Sequence, residues 1–186
     1  MNIVKPHKTD SFWFARVPGQ ELVLSRWLRD RGSLTQRIQQ RCNLFEVRNV
    51  FSGSARVELN ESFLLGIPPR QNAFTREVFL YADGNPVVFA HSVVAHQHLR
   101  GAWSAVNGMG NKPLGALLFA HPLVSREPLH FKSLRSSNQL YKSASVVLND
   151  PPGRLWARRS LFHLHGAPLL VTEVFLPGIM DLSRAV

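Results

Sequence analysis

The spacing of apolar residues indicates two short helices near the start of the chain. Residues 20–29 carry apolar side chains at nearly helical intervals, and Gly32 follows as a stop signal. Ser33 or Thr35 is suited to cap a second helix that runs to about Cys42. The sequence therefore predicts a helix–turn–helix unit in this region.

After this unit the apolar residues alternate with polar ones or form short continuous runs, which is typical of strands. The pairs Asp83-Gly84 and His165-Gly166 each lie between two such segments and predict tight hairpin turns, and Ser52-Gly53-Ser54 predicts a further turn. Strands joined by hairpins pair antiparallel, and no segment has the spacing of a parallel βαβ unit. The predicted fold class is therefore α+β, with a single antiparallel β-sheet and packed helices. The predicted strands cover residues 44–51, 74–81, 87–94, 155–164 and 169–176.

The length and the remaining segments fit a single domain over residues 1–186. Residues 1–19 are predicted to form an irregular lead-in. Residues 99–119 are expected to be mostly helical or looped, and a further strand is expected near residues 123–130. Residues 132–153 are polar, rich in serine and closed by Asp-Pro-Pro-Gly, which predicts a long surface excursion.

The chain is basic, with 22 Lys and Arg against 12 Asp and Glu and a formal net charge of +10. Such a charge favours either a nucleic acid or an anionic small molecule as the partner. The basic residues are spread along the sequence, without a block of like charges and without a nucleic-acid-binding motif. The sequence therefore favours a small anionic ligand and predicts no nucleic-acid partner.

Three further features bear on the location and assembly of the protein. The single cysteine, Cys42, excludes an internal disulfide and fits a reducing compartment. No apolar run approaches the ~18 residues of a membrane helix, and the first residues lack the apolar centre of a signal peptide. No exposed apolar stripe stands out in the sequence. These features predict a cytoplasmic monomer without an integral membrane segment.

A carboxylate interrupts the last predicted strand. Glu173 lies in the middle of residues 169–176, where the residues on both faces are apolar. Burying an ionised carboxylate costs several kcal/mol unless it is paired or neutralised. Arg76, which enters a largely apolar strand, is the expected partner. It can form a structural ion pair with Glu173, reach solvent at the strand end, or supply a fork for the carboxylate of an anionic ligand.

Two other arginines share one strand. Arg158 and Arg159 are adjacent and therefore point to opposite faces. We expect one of them to be exposed and the other to join a surface ion pair, with an inward orientation of one as the alternative. The helix start that follows Asn111 offers unsatisfied backbone N–H groups, which is a weak indication of an anion site.

The eight histidines raise the possibility of a metal site. The closest pairs are His96 with His98 and His163 with His165, but neither pair has a third ligand at a recognised spacing. No metal is therefore predicted. Motifs for nucleotide binding or for an activated nucleophile are also absent.

Five groups of short motifs follow one another along the chain. They are Trp27-Leu28 with Gly32-Ser33-Leu34-Thr35, Arg76-Glu77-Val78 with Ala82-Asp83-Gly84-Asn85-Pro86, Pro113-Leu114-Gly115 with Leu118-Phe119, Trp156-Ala157-Arg158-Arg159-Ser160, and Leu169-Leu170-Val171-Thr172-Glu173-Val174-Phe175-Leu176-Pro177. In this order they resemble the bacterial chorismate–pyruvate lyase family, from about Glu21 to Pro177. Each group alone is weakly specific, whereas five in the family's order are specific.

The resemblance implies a lyase without a cofactor, which splits chorismate into 4-hydroxybenzoate and pyruvate at the first committed step of ubiquinone synthesis. It implies an antiparallel sheet with two helical flaps over an internal ligand site. The substrate-contacting positions of the family fall on Leu34 and Leu114 in the flaps, on Arg76 and on Glu173. Release of the enclosed product is expected to limit turnover.

The resemblance also suggests roles for these residues. Arg76, with the backbone N–H groups of Leu34 and Leu114, would hold a substrate carboxylate, and Glu173 would handle the proton. Burial favours a protonated Glu173 and a nearby arginine favours an ionised one, so the sequence leaves its charge open. Aromatisation of the ring supplies driving force, so orienting the substrate and excluding water can suffice for the protein.

Two other classes of function compete with the enzyme. The same fold resembles the effector-binding domain of some bacterial transcription regulators, which would make the protein a non-catalytic sensor of small aromatic acids. Such domains follow a DNA-binding winged helix, for which 186 residues leave no room, and both Arg76 and Glu173 favour the enzyme. An RNA-associated protein is the third reading, and it rests on the charge alone.

Overall fold

The computed structural model describes residues 12–17 and 22–183, and it contains the helices and strands that follow. The strands are β1 (Phe45–Arg56), β2 (Asn72–Ala82), β3 (Asn85–Val94), β4 (Ser125–Arg126), β5 (His130–Leu134), β6 (Leu155–Leu164) and β7 (Ala167–Phe175). The α-helices are α1 (Leu22–Leu28), α2 (Leu34–Gln39), α3 (Leu59–Leu65), α4 (Leu114–Ala120) and α5 (Gln139–Ser145). Short 3₁₀ segments cover His96–His98, Ser104–Val106 and Pro177–Ser183.

All strands pair antiparallel in one sheet with the order β1-β2-β3-β7-β6-β4, and β5 pairs with β6 next to β4. Both predicted hairpin turns are present. Asp83 and Gly84 have φ of 48° and 80°, and His165 and Gly166 have φ of 51° and 77°. Two consecutive left-handed residues make the tight turn whose twist matches paired strands. The prediction of an α+β fold with one antiparallel sheet is therefore confirmed.

The two faces of the sheet are covered by different helices. On one face lie two helical segments, which we call the first flap (residues 22–39, with α1 and α2) and the second flap (residues 96–120, with α4). Helices α3 and α5 cover the opposite face, where Leu65 and Ala144 are buried. Burial of each large apolar side chain contributes about 1.5–3 kcal/mol, so both faces hold a core.

Near the start of the sheet one prediction was wrong and one helix was missed. The turn expected at Ser52-Gly53-Ser54 does not occur, because β1 continues through these residues to Arg56 in register with β2. Helix α3 was not predicted at all. Glu58 and Glu61 form a reciprocal capping box at its start, and Gly66 ends it with φ of 64°. The capping signal was present in the sequence, but seven residues give too little apolar periodicity to reveal the helix.

Residues 132–153 do not form a surface excursion. The segment starts within β5, and it contains α5, which packs on the sheet. Leu134 and Ala144 are fully buried, and the Tyr141 hydroxyl donates to the Pro152 carbonyl oxygen at 2.6 Å. Because serines separate the few apolar residues that anchor the segment to the core, the sequence shows no recognisable apolar pattern here.

The predicted lead-in over residues 1–19 lies mostly outside the described residues. Within residues 12–17, Phe14 forms an isolated antiparallel bridge to Phe131. None of the helices in the described part of the chain is long and apolar enough to span a membrane.

Candidate active site

A cavity lies between the sheet and the two flaps, and the four residues expected from the family resemblance all line it. Leu34 comes from the first flap, Leu114 from the second flap, Arg76 from β2 and Glu173 from β7. The space free of protein atoms is about 590 Å³, including the part that opens to solvent.

The register of the sheet explains why these side chains meet. Ala90 on β3 is paired with Glu173, and Ser92 on the same strand is paired with Arg76, so all four point to one face. Val78 on β2 and Val171 on β7 belong to that face as well and line the cavity. The floor therefore combines apolar surface with a small number of charged groups, as ligand sites do.

The partner of Glu173 is Arg158, not Arg76. Arg158 lies directly opposite Glu173 in the β6–β7 ladder, and its Nε donates to Glu173 Oε2 at 2.5 Å. The prediction of an Arg76–Glu173 ion pair was wrong. The expectation that Arg158 or Arg159 would be exposed, with the other in a surface pair, was also wrong for Arg158, which is fully buried.

Arg158 also holds the first flap. Its Nη1 donates to the carbonyl oxygens of Trp27 at 3.0 Å, Leu28 at 3.4 Å and Asp30 at 2.6 Å, at the end of α1. A buried cation at the last turn of a helix supplies donors to the terminal carbonyl oxygens and complements the negative end of the helix. Arg158 thereby connects the floor of the cavity, through Glu173, to the flap above it.

Arg76 is buried without a carboxylate partner among the described residues. Its exposed fraction is 2%, and its Nη2 donates to the carbonyl oxygens of Gly110 at 2.8 Å and Lys112 at 2.7 Å in the second flap. Its Nε is buried and has no hydrogen-bond partner in the described structure. Burial lowers the pKa of Arg76 from its ordinary value, which reflects the cost of an uncompensated charge. The guanidinium is therefore suited to an anionic ligand.

The two flaps touch each other over the cavity. A Cβ placed on Gly115 of the second flap would lie 3.1 Å from Thr35 Oγ1 and 3.3 Å from Ser33 Oγ of the first flap. Ser33 also accepts a hydrogen bond from the Gln36 backbone as the N-cap of α2, one of the two predicted caps. Close approach of the two flaps at Gly115 closes the cavity on this side.

A further arginine of the site was not predicted. Arg126 on β4 lines the cavity, and its Nη1 donates to the Arg31 carbonyl oxygen of the first flap at 2.8 Å. Its guanidinium lies 5.6 Å from the ring centre of Phe119 and 5.1 Å from that of Phe162. In place of the strand predicted near residues 123–130, the structure has β4 with only two residues, which are too few for a periodicity that would show the inward direction of Arg126.

A second charged cluster lies on the opposite face of the sheet. His91 Nδ1 is 2.9 Å from Glu77 Oε1, and His91 Nε2 is 3.2 Å from Glu61 Oε1 on α3. Burial opposes the protonated ring, but the two carboxylates outweigh it and raise the pKa of His91 to about 9. For Glu61, burial opposes ionisation, yet its bonds to His91 and the Glu58 backbone, with Arg159 nearby, hold its pKa below the ordinary value.

This cluster predicts a pH-dependent stability. A histidine whose folded pKa is raised stabilises the fold fully below its unfolded pKa near 6.5, and this contribution is lost as the pH rises through about 9. We expect the free energy of unfolding to fall across this range by at most about 3 kcal/mol. Urea denaturation at several pH values measures it. The His91→Gln variant should flatten the profile, whereas exposed His96→Gln should retain it. An unchanged profile in His91→Gln would contradict the assignment.

One histidine of each pair considered for a metal site has a side-chain partner of another kind. His163 Nε2 lies 2.8 Å from Glu127 Oε1, and His96 Nε2 lies 3.0 Å from Ser54 Oγ. Within residues 12–17 and 22–183, no group of three or more His, Cys, Asp or Glu side chains is arranged to hold a metal ion.

Solved structures with the same fold include a GntR-family transcriptional regulator from Bacillus cereus, with a TM-score of 0.51 at 12% identity over 72% of this chain and 92% of that one. The effector domain of PhnF from Mycobacterium smegmatis superimposes with a TM-score of 0.55 at 10% identity, over 79% of this chain and 90% of that one. The C-terminal domain of PhnF gives a TM-score of 0.54 at 14% identity, over 69% and 80%. At such low identity the likeness shows the fold alone.

Comparison with proteins of similar sequence shows the family. A protein of Nitrosospira multiformis named probable chorismate pyruvate-lyase is 52% identical over 84% of this chain and 88% of its own length. One of Nitrosomonas europaea with the same name is 47% identical over 91% and 96%. The family profile described as chorismate lyase matches residues 15–185. The chain therefore belongs to the chorismate lyase family.

Proposed function

We propose that this protein is a chorismate–pyruvate lyase, which converts chorismate into 4-hydroxybenzoate and pyruvate without a cofactor. The observation that carries the proposal is Arg76, a buried cation in an enclosed cavity whose described partners are two carbonyl oxygens. A ligand carboxylate would supply the missing charge. The names of the relatives, probable chorismate pyruvate-lyase, support the same activity.

The walls of the cavity fit the ring of such a ligand. Val78 and Ala90 from the floor and Leu118 from the second flap give apolar surface on both sides of the space. In the proposed complex the ring carboxylate lies against Arg76, and the backbone N–H groups of Leu34 and Leu114 assist it. The ring then extends over β3 towards Glu173 on β7, which places the carboxylate of Glu173 near the ring oxygens.

The proposed reaction needs one bond broken and one proton moved. The ether bond between ring carbon 3 and the enolpyruvyl oxygen breaks, ring carbon 4 loses its proton, and the ring becomes aromatic. The enolpyruvyl fragment gains a proton on its methylene carbon and becomes pyruvate. Glu173, held in place by Arg158, takes the ring proton and returns it to the methylene carbon. The flaps exclude water from these steps.

The product keeps the ring carboxylate and therefore the bond to Arg76, while the flaps cover it. Slow release is the consequence, and we propose that opening of the flaps limits turnover. In the cell the product would enter ubiquinone synthesis.

A product assay with a Glu173 variant tests this function. Purified protein is incubated with chorismate, and 4-hydroxybenzoate and pyruvate are both quantified over time. We expect equal amounts of the two products, and a fall in the single-turnover rate of about 100-fold or more in Glu173→Gln, since general acid–base catalysis contributes about 10²–10⁴. Glu46→Gln, in an exposed pair with Arg48 on β1, is the matched control and should turn over normally.

Three outcomes would contradict parts of the proposal. Normal turnover by a folded Glu173→Gln protein would remove Glu173 from the proton transfer. Tight binding of 4-hydroxybenzoate without any turnover by the unaltered protein would make the chain a sensor with the fold of an enzyme. The absence of both binding and turnover would refute the lyase function altogether.

A further inference from the structure

The cavity contains one charged group that neither the family resemblance nor the proposed chemistry uses, Arg126. Its Nε is buried and has no hydrogen-bond partner among the described residues, although Nη1 is bonded to the first flap. The aromatic rings of Phe119 and Phe162 cover its guanidinium without supplying a negative charge. Burial lowers the pKa of Arg126, and nearby Glu173 offsets this in part.

The charges on the cavity wall do not balance. Four charged side chains of the described structure line the space: Arg76, Arg126, Arg158 and Glu173. Arg158 and Glu173 neutralise each other in a direct ion pair. Asp30, outside the cavity, is paired with Arg37 at 2.6 Å. Two positive charges therefore remain, and a ligand with two negative charges would compensate both.

The two remaining arginines come from opposite sides of the cavity. Arg76 is on β2 and Arg126 is on β4, and three strands separate them in the sheet. At ~4.8 Å per strand the two backbones are roughly 19 Å apart. Arg126 is paired with Phe162, whose side chain shares the cavity face. In the strand order β7, which carries Glu173, lies between the strands of the two arginines.

We propose that Arg126 is a second carboxylate-binding residue, which receives the carboxylate of the enolpyruvyl group while Arg76 receives the ring carboxylate. This inference rests on the proposed function. It assigns the two ends of the cavity to the two carboxylates of one ligand, and it places the bond that breaks next to Glu173. Arg126 thus recognises the substrate and the pyruvate fragment, and it makes no charged contact with 4-hydroxybenzoate. Arg76, in contrast, binds substrate and aromatic product alike.

Equilibrium binding of two stable aromatic ligands tests the assignment without turnover. The first is 3-(1-carboxyethoxy)-4-hydroxybenzoate, a dianion, and the second is 3-ethoxy-4-hydroxybenzoate, which lacks only the side-chain carboxylate. We expect the unaltered protein to prefer the dianion, and Arg126→Met to lose about 10- to 100-fold in dianion affinity, the range of a charge-assisted hydrogen bond. Affinity for the monoanion should change less than about twofold, and Arg126→Lys should recover part of the preference.

The result separates this inference from its alternatives. An equal loss of affinity for both ligands in Arg126→Met would mean that Arg126 only holds the first flap, and an unchanged preference for the dianion would also overturn the proposal. If chorismate is cleaved but the preference does not depend on Arg126, the inference alone fails. If the preference depends on Arg126 while chorismate is not cleaved, the carboxylate site stands and the lyase function fails.

Discussion

Replacement of Arg76 by methionine should strongly weaken ligand binding while leaving the folded protein intact. Loss of one partner of a buried charge pair costs about 2–5 kcal/mol, so we expect kcat/KM for chorismate and the affinity for 4-hydroxybenzoate to fall by about 30- to 5,000-fold. Without ligand, Arg76 is a buried charge whose hydrogen-bond partners among the described residues are the carbonyl oxygens of Gly110 and Lys112. Its removal should therefore change the free energy of unfolding of the empty protein by no more than about 1 kcal/mol.

Calorimetric titration with 4-hydroxybenzoate and urea denaturation of the empty protein measure the two effects of the Arg76 change. Arg48→Met is the matched control, because Arg48 is half-exposed on β1 and its pair with Glu46 lies at the surface. It should bind 4-hydroxybenzoate normally. If Arg76→Met retained the affinity for 4-hydroxybenzoate, the carboxylate of the ligand would lie elsewhere in the cavity, and the proposed orientation would be wrong.

The sequence predicts most of the sheet because its turns are explicit. Asp83-Gly84 and His165-Gly166 both supply residues that tolerate positive φ. In the structure the two predicted strands that flank each of these turns form a hairpin. Residues 132–153 show the limit of this approach. There the anchoring apolar residues are separated by serines, and only their tertiary contacts show that the segment belongs to the core.

The identity of the partner of Glu173 was available from the sequence. A two-residue turn at His165-Gly166 places Leu164 opposite Ala167, and counting outward from this pair places Arg158 opposite Glu173. In the β2–β3 hairpin the same counting fails by one residue, because the register shifts between Leu80 and Tyr81. Such an irregularity depends on local packing and has no sequence signal here.

The placement of the candidate site residues came from the family resemblance, not from periodicity. Leu34 and Leu114 both line the cavity because two separate flaps fold onto one face of the sheet, and no local pattern encodes this. Arg126 had neither source of information. It was outside the family motifs and lies in a strand of two residues.

Replacement of Arg158 by methionine should have the opposite consequences to the Arg76 change. Arg158 satisfies Glu173 and the carbonyl oxygens of Trp27, Leu28 and Asp30, all within the described structure. Its loss leaves a half-buried carboxylate and the end of α1 without their donor. We expect the free energy of unfolding to fall by about 3–5 kcal/mol, measured from the shift of the urea midpoint.

The double variant Arg158→Met/Glu173→Gln separates the two duties of Arg158. Removing the carboxylate as well should recover about 1–2 kcal/mol, because the remaining loss belongs to the carbonyl oxygens of the first flap. A double variant no more stable than Arg158→Met would mean that Glu173 contributes nothing to the need for Arg158. Two fully buried arginines of one cavity thus differ in kind. Arg158 is compensated within the protein and stabilises it, whereas Arg76 has no carboxylate partner in the described structure and, in the proposed complex, receives one from the ligand.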